Sequence, residues 1–142
     1  MNNSKKLLGI AVYTLQSHQR LIRTLSNAVV RINIRNSLRM ILQELDTMEF
    51  QAYSVASSRG WELQEKSPVL MCFQKLSYNA RLIFLKQDSQ IAEIIIRNQT
   101  AGMITVSRAR SITPHCDGDV ISLCQKLLDC QEASIRQMQQ FL

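Results

Sequence analysis

Apolar residues recur every three or four positions along almost the whole chain, and this spacing constrains the fold more than any other feature. Such a stripe lies on one face of an α-helix, where it can pack against neighbouring helices. Four stripes predict four helices, at residues 5–30, 34–59, 69–110 and 118–141. Glycine and proline are scarce, with four and two among 142 residues, which argues against many-turned β-sandwiches and barrels.

The connections between the predicted helices indicate how the helices are arranged. Asn33 and Asn36 lie near the first break, Gly60 is suited to end the second helix, and Asp117 or Asp119 can cap the fourth. The first connection is short, which favours a helical hairpin, whereas the second and third helices have a longer link. We therefore expect an all-α, antiparallel, up-and-down four-helix bundle, with all 142 residues in one domain.

Gly102 lies inside the third stripe, where glycine is an unfavourable helix residue. Glycine in a helix interior costs about 1 kcal/mol relative to alanine. Either the position is a costly interruption, or the missing side chain allows a neighbouring helix to approach closely. We favour the close approach.

Residues 1–43 contain seven basic side chains and no acidic one, and the first carboxylate is Glu44. The rest of the chain is nearly neutral, so the formal charge of +6 belongs to this segment. Such a segment can attract nucleic acid, an acidic membrane surface or an acidic protein, or simply keep the surface hydrated. It has no Lys/Arg run and no interleaved aromatic residues, which argues against nucleic acid as the partner. The candidate basic surface consists of Arg20, Arg23, Arg31, Arg35 and Arg39.

The four cysteines contain no C-x-x-C pair, and a chain of this size and apolar content does not need disulfides to fold. We expect reduced, mostly buried thiols.

No run approaches 18 uncharged apolar residues, so no membrane-spanning helix is expected. Lys5 and Lys6 precede an apolar stretch, but the helical spacing continues past it without a signal-peptide cleavage site. The sequence therefore predicts a cytoplasmic protein.

The sequence lacks the motifs of the common catalytic sites. It has no glycine-rich phosphate loop, no G-x-S-x-G and no H-E-x-x-H. His18 and Cys124 both lie on inward stripes and could form a nucleophilic pair, although packed thiols are far commoner. The adjacent His115 and Cys116 lack the two further ligands that a metal site needs. We expect no enzyme activity and no cofactor.

His18 occupies the apolar stripe of the first helix near its middle. The simplest interpretation is a neutral imidazole that hydrogen-bonds to a polar side chain across the bundle. Several such residues would form a polar layer that specifies the helix register. An alternative is the relic of a metal-lined centre with Glu93 or Glu132 turned inward, which would imply a residual metal or redox role. The candidate members of the polar layer are His18, Ser89, Gln99 and Gln131.

Two segments resemble a known family. Residues 21–62 include the run LRMILQELDTMEFQAYSVASSRGW, and residues 91–104 read IAEIIIRNQTAGMI, with IRQMQQFL closing the last helix. The first segment resembles the bacterial spore coat F family, which belongs to the ferritin-like superfamily. The later stretches resemble small ferritin-like proteins of spore-forming bacteria. The resemblance covers most of the chain, although its motifs are not specific. It implies a ferritin-like bundle associated with the spore coat of a sporulating bacterium.

The residues that hold iron in ferritin-like proteins are missing from this sequence. Those proteins need a Glu from each of two helices and a Glu-x-x-His pair from each of the other two. No Glu of this chain is followed by His three residues later, and the inward positions of the second helix hold Leu45 and Met48. The resemblance therefore implies a bundle that has lost its metal site and serves as a structural or interaction protein.

The partner expected for such a protein is another protein or a second copy of the chain. An apolar set could cover the end of the bundle or pair two subunits, which favours a homodimer. This set consists of Trp61, Val69, Leu70, Met71 and Phe73.

Overall fold

The computed structural model describes residues 3–28, 32–63 and 87–142, and the residues in these ranges form four α-helices and no strand. The helices are α1 (Asn3–Ala28), α2 (Ile32–Ser58), α3 (Asp88–Ile112) and α4 (Gly118–Gln139). This confirms the prediction of an all-α four-helix bundle. No helix in the described part of the chain is both long and apolar enough to cross a membrane.

The third helix begins later than its stripe predicts. The predicted helix at 69–110 includes residues outside the described ranges and also Gln87, where the backbone is extended (φ −130°, ψ 145°). Helix α3 starts at the next residue, and the backbone N–H of Gln87 donates to Oε1 of Gln90 at 3.2 Å. The apolar spacing continues across this point, so periodicity alone could not reveal the break.

The core is one cluster of apolar side chains from all four helices. Its members follow the predicted stripes closely on α1, α2 and α4. On α3 the buried face is slightly rotated, because Ile95 is fully buried while Ile96 is only partly buried. Fully burying one such side chain stabilises the fold by about 1.5–3 kcal/mol. Core residues include Leu8, Leu15, Ile22, Leu38, Leu45, Ala52, Ile95, Val106, Val120, Leu127 and Met138.

Helices α1 and α4 each pack against both α2 and α3, and they also touch each other across the centre. Two hydrogen bonds show how α1 and α4 align. The backbone N–H of Asp117 donates to Oγ of Ser4 at 2.8 Å, and His18 contacts Gln131 further along both helices. The residue numbers rise together, so α1 and α4 run in the same direction.

The predicted up-and-down order is therefore wrong, because it places the first and last helices in opposite directions. The long link between α2 and α3 explains the difference. A helix of 25 residues is about 37 Å long, and a chain that extends from Ser58 to Asp88 can span roughly 90 Å. The link is thus long enough for α3 to start at either end of the bundle.

The end of α2 is joined to the start of α4 by Arg59. Its guanidinium binds Asp117 at 3.2 Å and Asp119 at 2.6 Å, and lies 5.2 Å from the ring centroid of Trp61. Gly60 has the left-handed φ of +67°, which confirms its predicted role at the helix end. Trp61, from the predicted apolar set, is partly buried against the core. The other four members lie outside the described residues.

Candidate functional site

The candidate site is the polar contact at the centre of the bundle. Helix α1 places His18 on its buried face, where the residue is 1% exposed. Its Nδ1 lies 2.5 Å from Oδ1 of Asn98 on α3, and its Nε2 lies 2.7 Å from Nε2 of Gln131 on α4. The imidazole thus bridges three helices.

The partners of His18 determine which ring nitrogen carries hydrogen. The oxygen of Asn98 can only accept, so Nδ1 of His18 is the donor in that contact. The amide nitrogen of Gln131 donates, so Nε2 of His18 is the acceptor. A neutral imidazole satisfies both contacts. The expected hydrogen bond across the bundle to Gln131 is confirmed.

Gly102 makes room for this contact. A Cβ atom at this position would lie 2.5 Å from Cε1 of His18 and 2.7 Å from Nε2 of Gln131, which is closer than real Cβ contacts. The close approach expected at Gly102 is therefore confirmed. The loss of helix propensity at this glycine allows the imidazole to reach the space between α3 and α4.

The polar layer differs in membership from the predicted one. Gln99 is 1% exposed and its Oε1 has no hydrogen-bond partner, which is also true of Oε1 of Gln131. Ser89 does not belong, because its hydroxyl donates to Oε1 of Gln87 at the start of α3. It precedes Asn98 by nine residues, or about 13 Å of helix. We define the polar layer as His18, Asn98, Gln99 and Gln131.

Asn98 was missed by the sequence reasoning because it lies beside the apolar stripe and is only partly buried. The available signal was its position four residues before Gly102. Residues i and i+4 of a helix lie on the same side. A side chain that enters the space above a glycine therefore meets the residue one turn earlier.

No carboxylate belongs to the polar layer. Glu93 is exposed and pairs with Arg97, and Glu132 is also exposed, so neither turns inward as the metal-relic hypothesis requires. Within the described ranges, no three His, Cys, Asp or Glu residues are grouped so that they could hold a metal ion. The amides of the layer are neutral ligands and do not match the carboxylate-rich set of a di-iron site.

Cys124 does not pair with His18 as a nucleophile. The residue is fully buried, and burial raises the pKa of its thiol to about 11, although the charge of Arg110 opposes the change. The thiol therefore stays protonated at neutral pH and is a poor nucleophile. The His18 nitrogens are also engaged with Asn98 and Gln131.

Cys130 lies at an open groove between α2 and α4. Its thiol donates to Oε2 of Glu44 at 3.3 Å, and burial together with this carboxylate raises the thiol pKa to about 12. The groove has a volume of about 610 Å³, and Met40, Thr47 and Lys126 also line it. A thiol held protonated in this way gives the groove no nucleophile at neutral pH.

The remaining cysteine contacts are structural. Cys116 donates to the carbonyl of Thr113 at 3.1 Å, while the adjacent His115 is exposed. Cys116, Cys124 and Cys130 are free thiols, as expected. Cys72 lies outside the described residues.

A small cavity lies between α1, α2 and α4. It measures about 10 Å³, which is close to the minimum for one water molecule, and its lining is wholly apolar. It cannot hold a substrate. The lining residues are Ala11, Val12, Leu15, Met48, Ala52, Leu123 and Leu127.

The candidate basic surface is partly neutralised. Arg23 binds Asp46 at 2.9 Å, and Gln19 donates to the same carboxylate at 2.8 Å. Arg20 and Arg35 also have interactions of their own. Arg39 is exposed, and Arg31 lies outside the described residues.

No family model, no curated protein and no solved structure matches this chain.

Proposed function

We propose that this protein is a non-enzymatic structural or interaction protein whose interior fixes the alignment of its helices. The observation that supports this most strongly is the engagement of both His18 nitrogens by side-chain amides. A metal ligand needs a free lone pair on its nitrogen, and this geometry uses the Nε2 lone pair of His18 for Gln131.

The contacts of the polar layer can form in only one register of the helices. Sliding α1 along α3 by one turn moves His18 by about 5.4 Å, away from the space above Gly102. The ring would then meet a side chain, and the amides of Asn98 and Gln131 would lose their partner. Buried polar groups that lose their partners are costly, so wrong alignments are disfavoured.

We further propose a degenerate ferritin-like arrangement, with neighbouring helices antiparallel and one long connection. Contacts between α2 and α4 support it, because Glu44 meets Cys130 whereas Arg59 meets Asp119. Ferritin-like bundles have one long crossover connection, which agrees with α1 and α4 running in the same direction. Following the resemblance to the spore coat F family, we place the protein in the cytoplasm of a sporulating bacterium, associated with its spore coat.

Metal analysis tests the absence of a metal site. The purified protein is incubated aerobically with ferrous iron, desalted and analysed for bound metal, beside the variant His18→Gln. We expect far less than one metal ion per chain in both proteins. One or more iron ions per chain in the wild type, lost in His18→Gln, would contradict the proposal.

We propose that the outward face of α2 is the interaction surface. The partner that binds there is a second copy of the chain. Phe50 is 75% exposed and Met40 is 60% exposed, and Met40 lines the groove between α2 and α4. Exposed large apolar side chains beside a groove are typical of protein interfaces.

Light scattering after size-exclusion chromatography tests this surface. We expect the wild type to elute as a dimer and Phe50→Ser to shift towards the monomer. The matched control is Ile104→Ser, which changes another exposed apolar side chain, on α3. A monomeric wild type would exclude the homodimer.

A second candidate function is the docking of an acidic partner on the α1–α2 hairpin. Lys5, Lys6 and Arg39 are exposed, and no acidic residue precedes Glu44. Retention on heparin, eluted with increasing salt, tests it. Phosphate contacts release counterions and must weaken as salt rises. Failure to bind at low salt would exclude this function.

A further inference from the structure

We propose that the polar layer is a buried proton-binding site, in which His18 takes up a second proton inside the folded bundle and the Gln131 amide rotates to hold it. This inference goes beyond the structural role proposed above. It rests on the contacts of the two His18 nitrogens and on the two unpartnered amide oxygens of the layer.

Two acceptors of the polar layer have no hydrogen-bond donor. Among the described residues, the buried side-chain polar atoms without a hydrogen-bond partner are Oε1 of Gln99 and Oε1 of Gln131. Both are oxygen acceptors, and both residues are almost fully buried. A buried acceptor without a partner is costly, so the layer is suited to an additional hydrogen.

The proton binds at Nε2 of His18. In the neutral state this atom accepts from Nε2 of Gln131, and the two atoms lie 2.7 Å apart. Once Nε2 of His18 carries hydrogen, two donors face each other and the contact becomes repulsive. Rotating the Gln131 amide by 180° exchanges its oxygen and nitrogen, which are similar in size. Its previously unpartnered oxygen then accepts the new N–H.

The contact with Asn98 is the same in both states. Nδ1 of His18 donates to Oδ1 of Asn98 whether the ring is neutral or charged. The imidazolium therefore has an amide oxygen at each nitrogen. Hydrogen bonds from a charged donor are roughly twice as strong as neutral ones. No covalent bond other than the new N–H forms, and the proton comes from solvent.

Rotation turns the amide hydrogens of Gln131 towards the position that its oxygen leaves. Gln99 lies one turn from Gly102 on α3, and a Cβ at Gly102 would touch Gln131. We assign the unpartnered Oε1 of Gln99 as the acceptor of these Gln131 hydrogens. Proton uptake would thus also satisfy the second unpartnered oxygen of the layer.

The carboxylates of α2 at this level of the bundle already have partners. On α2, Asp46 binds Gln19 and Arg23 of α1, and Glu49 accepts from Gln16. These contacts hold Asp46 and Glu49 at the outer edge of the α1–α2 pair. The third α2 carboxylate, Glu44, is exposed and accepts a hydrogen bond from the Cys130 thiol. These carboxylates are therefore not the counter-charge of the imidazolium.

Helices α3 and α4 do not supply a counter-charge either. Glu93 and Arg97 pair on the exposed face of α3, and Glu132 is exposed on α4. The Cys124 and Cys130 thiols of α4 are kept protonated by their burial, which raises the pKa of each. Of the contacts described here, those that stabilise the charged ring are its hydrogen bonds to the amide oxygens of Asn98 and, after rotation, Gln131.

Nitrogen NMR of the full chain tests the proposal. The protein has two histidines, and the variant His115→Gln assigns their signals. As pH falls, we expect the His18 ring to change from one protonated nitrogen to two, with Nδ1 protonated throughout. The Gln131 side-chain amide signals should shift with the same midpoint, while circular dichroism shows unchanged helix content.

A variant pair separates the role of Gln131 from a general effect of burial. Gln131→Leu removes the acceptor for the second proton, and we expect the proton affinity of His18 to fall roughly tenfold or more. Gln139→Leu is the matched control, because it makes the same change at an exposed site of α4, and it should leave the titration unchanged.

Three results would overturn the proposal. The first is loss of helix content at the same pH at which His18 takes up its proton. The second is a His18 signal that stays neutral until the protein unfolds. The third is a Gln131 amide that does not respond to the titration, and this can be read from the wild type even if Gln131→Leu fails to fold. None of these results would contradict the proposed structural function.

Discussion

Gly102 shows most clearly how a single residue determines the interior of this bundle. Intrinsic helix propensity favours alanine over glycine, but at this position a Cβ would meet the His18 ring and the Gln131 amide. The sequence was sufficient to predict a close approach here. It could not show that the approaching group is an imidazole, because that depends on how far α1 is displaced along α3.

We predict that Gly102→Ala destabilises the protein by about 1–3 kcal/mol, because overpacking at the polar layer exceeds the gain in helix propensity. Urea unfolding followed by circular dichroism measures the change. The matched control is Gly9→Ala, within α1, where a built Cβ meets nothing within 4 Å. The free energy of unfolding of Gly9→Ala should rise by about 0.5–1 kcal/mol. If Gly102→Ala gains as much stability as Gly9→Ala, a Cβ at residue 102 is not overpacked against His18 and Gln131.

A second prediction concerns the buried thiol of Cys130. Burial and the Glu44 carboxylate raise the pKa of this thiol from its ordinary value of 9.0 to about 12 in the folded protein. The unfolded chain therefore loses this proton first as pH rises. The stabilisation is complete below about pH 9 and is lost as pH rises towards 12, at up to about 1.4 kcal/mol per pH unit.

Cys130→Ser tests this prediction, because serine does not titrate in that range and can still donate to Glu44. The free energy of unfolding is measured at pH 8.5 and 10.5 for both proteins. We expect the wild type to lose more stability than Cys130→Ser over this interval. Identical losses would show that the thiol does not contribute.

At the scale of the elements, the apolar spacing predicted four helices, and three of them lie close to their predicted bounds. The start of α3 was not predictable, because the backbone is extended at Gln87 although the apolar spacing of the sequence continues across this residue. Ser89 was misplaced for a related reason. Its spacing fits the stripe, but in the first turn of α3 its hydroxyl donates to the side-chain oxygen of Gln87.

The junction between α2 and α4 provides a prediction for these elements. We expect Arg59→Gln to destabilise the protein by roughly 1 kcal/mol, because Arg59 binds two aspartates and lies over Trp61. The matched control is Arg97→Gln, which removes an exposed pair within α3 and should cost at most about 0.5 kcal/mol.

Urea unfolding at low and high salt distinguishes these two arginines. The difference between the variants should narrow at high salt, since ion pairs are screened, while the contact of Arg59 with Trp61 remains. An Arg59→Gln variant as stable as Arg97→Gln at low salt would show that the junction does not hold the two helices together.

At the scale of the whole molecule, the order of the helices was the part that sequence reasoning got wrong. Stripes show which face of each helix is buried, but they do not show the direction in which a distant helix runs. That direction depends on specific pairs, such as Ser4 with Asp117 and His18 with Gln131. Each contact joins two residues more than a hundred positions apart. Nothing in the sequence around either residue indicates which distant residue it contacts.

The most direct test of the account is a double-mutant cycle between His18 and Gln131. Each single variant, His18→Leu or Gln131→Leu, leaves a buried polar group without its partner, whereas the double variant replaces both with apolar side chains. We predict that the double variant is more stable than the sum of the single effects implies, by about 1–2 kcal/mol. Effects that add within about 0.3 kcal/mol would show that the imidazole and the amide do not act together, and the polar layer would not fix the helices.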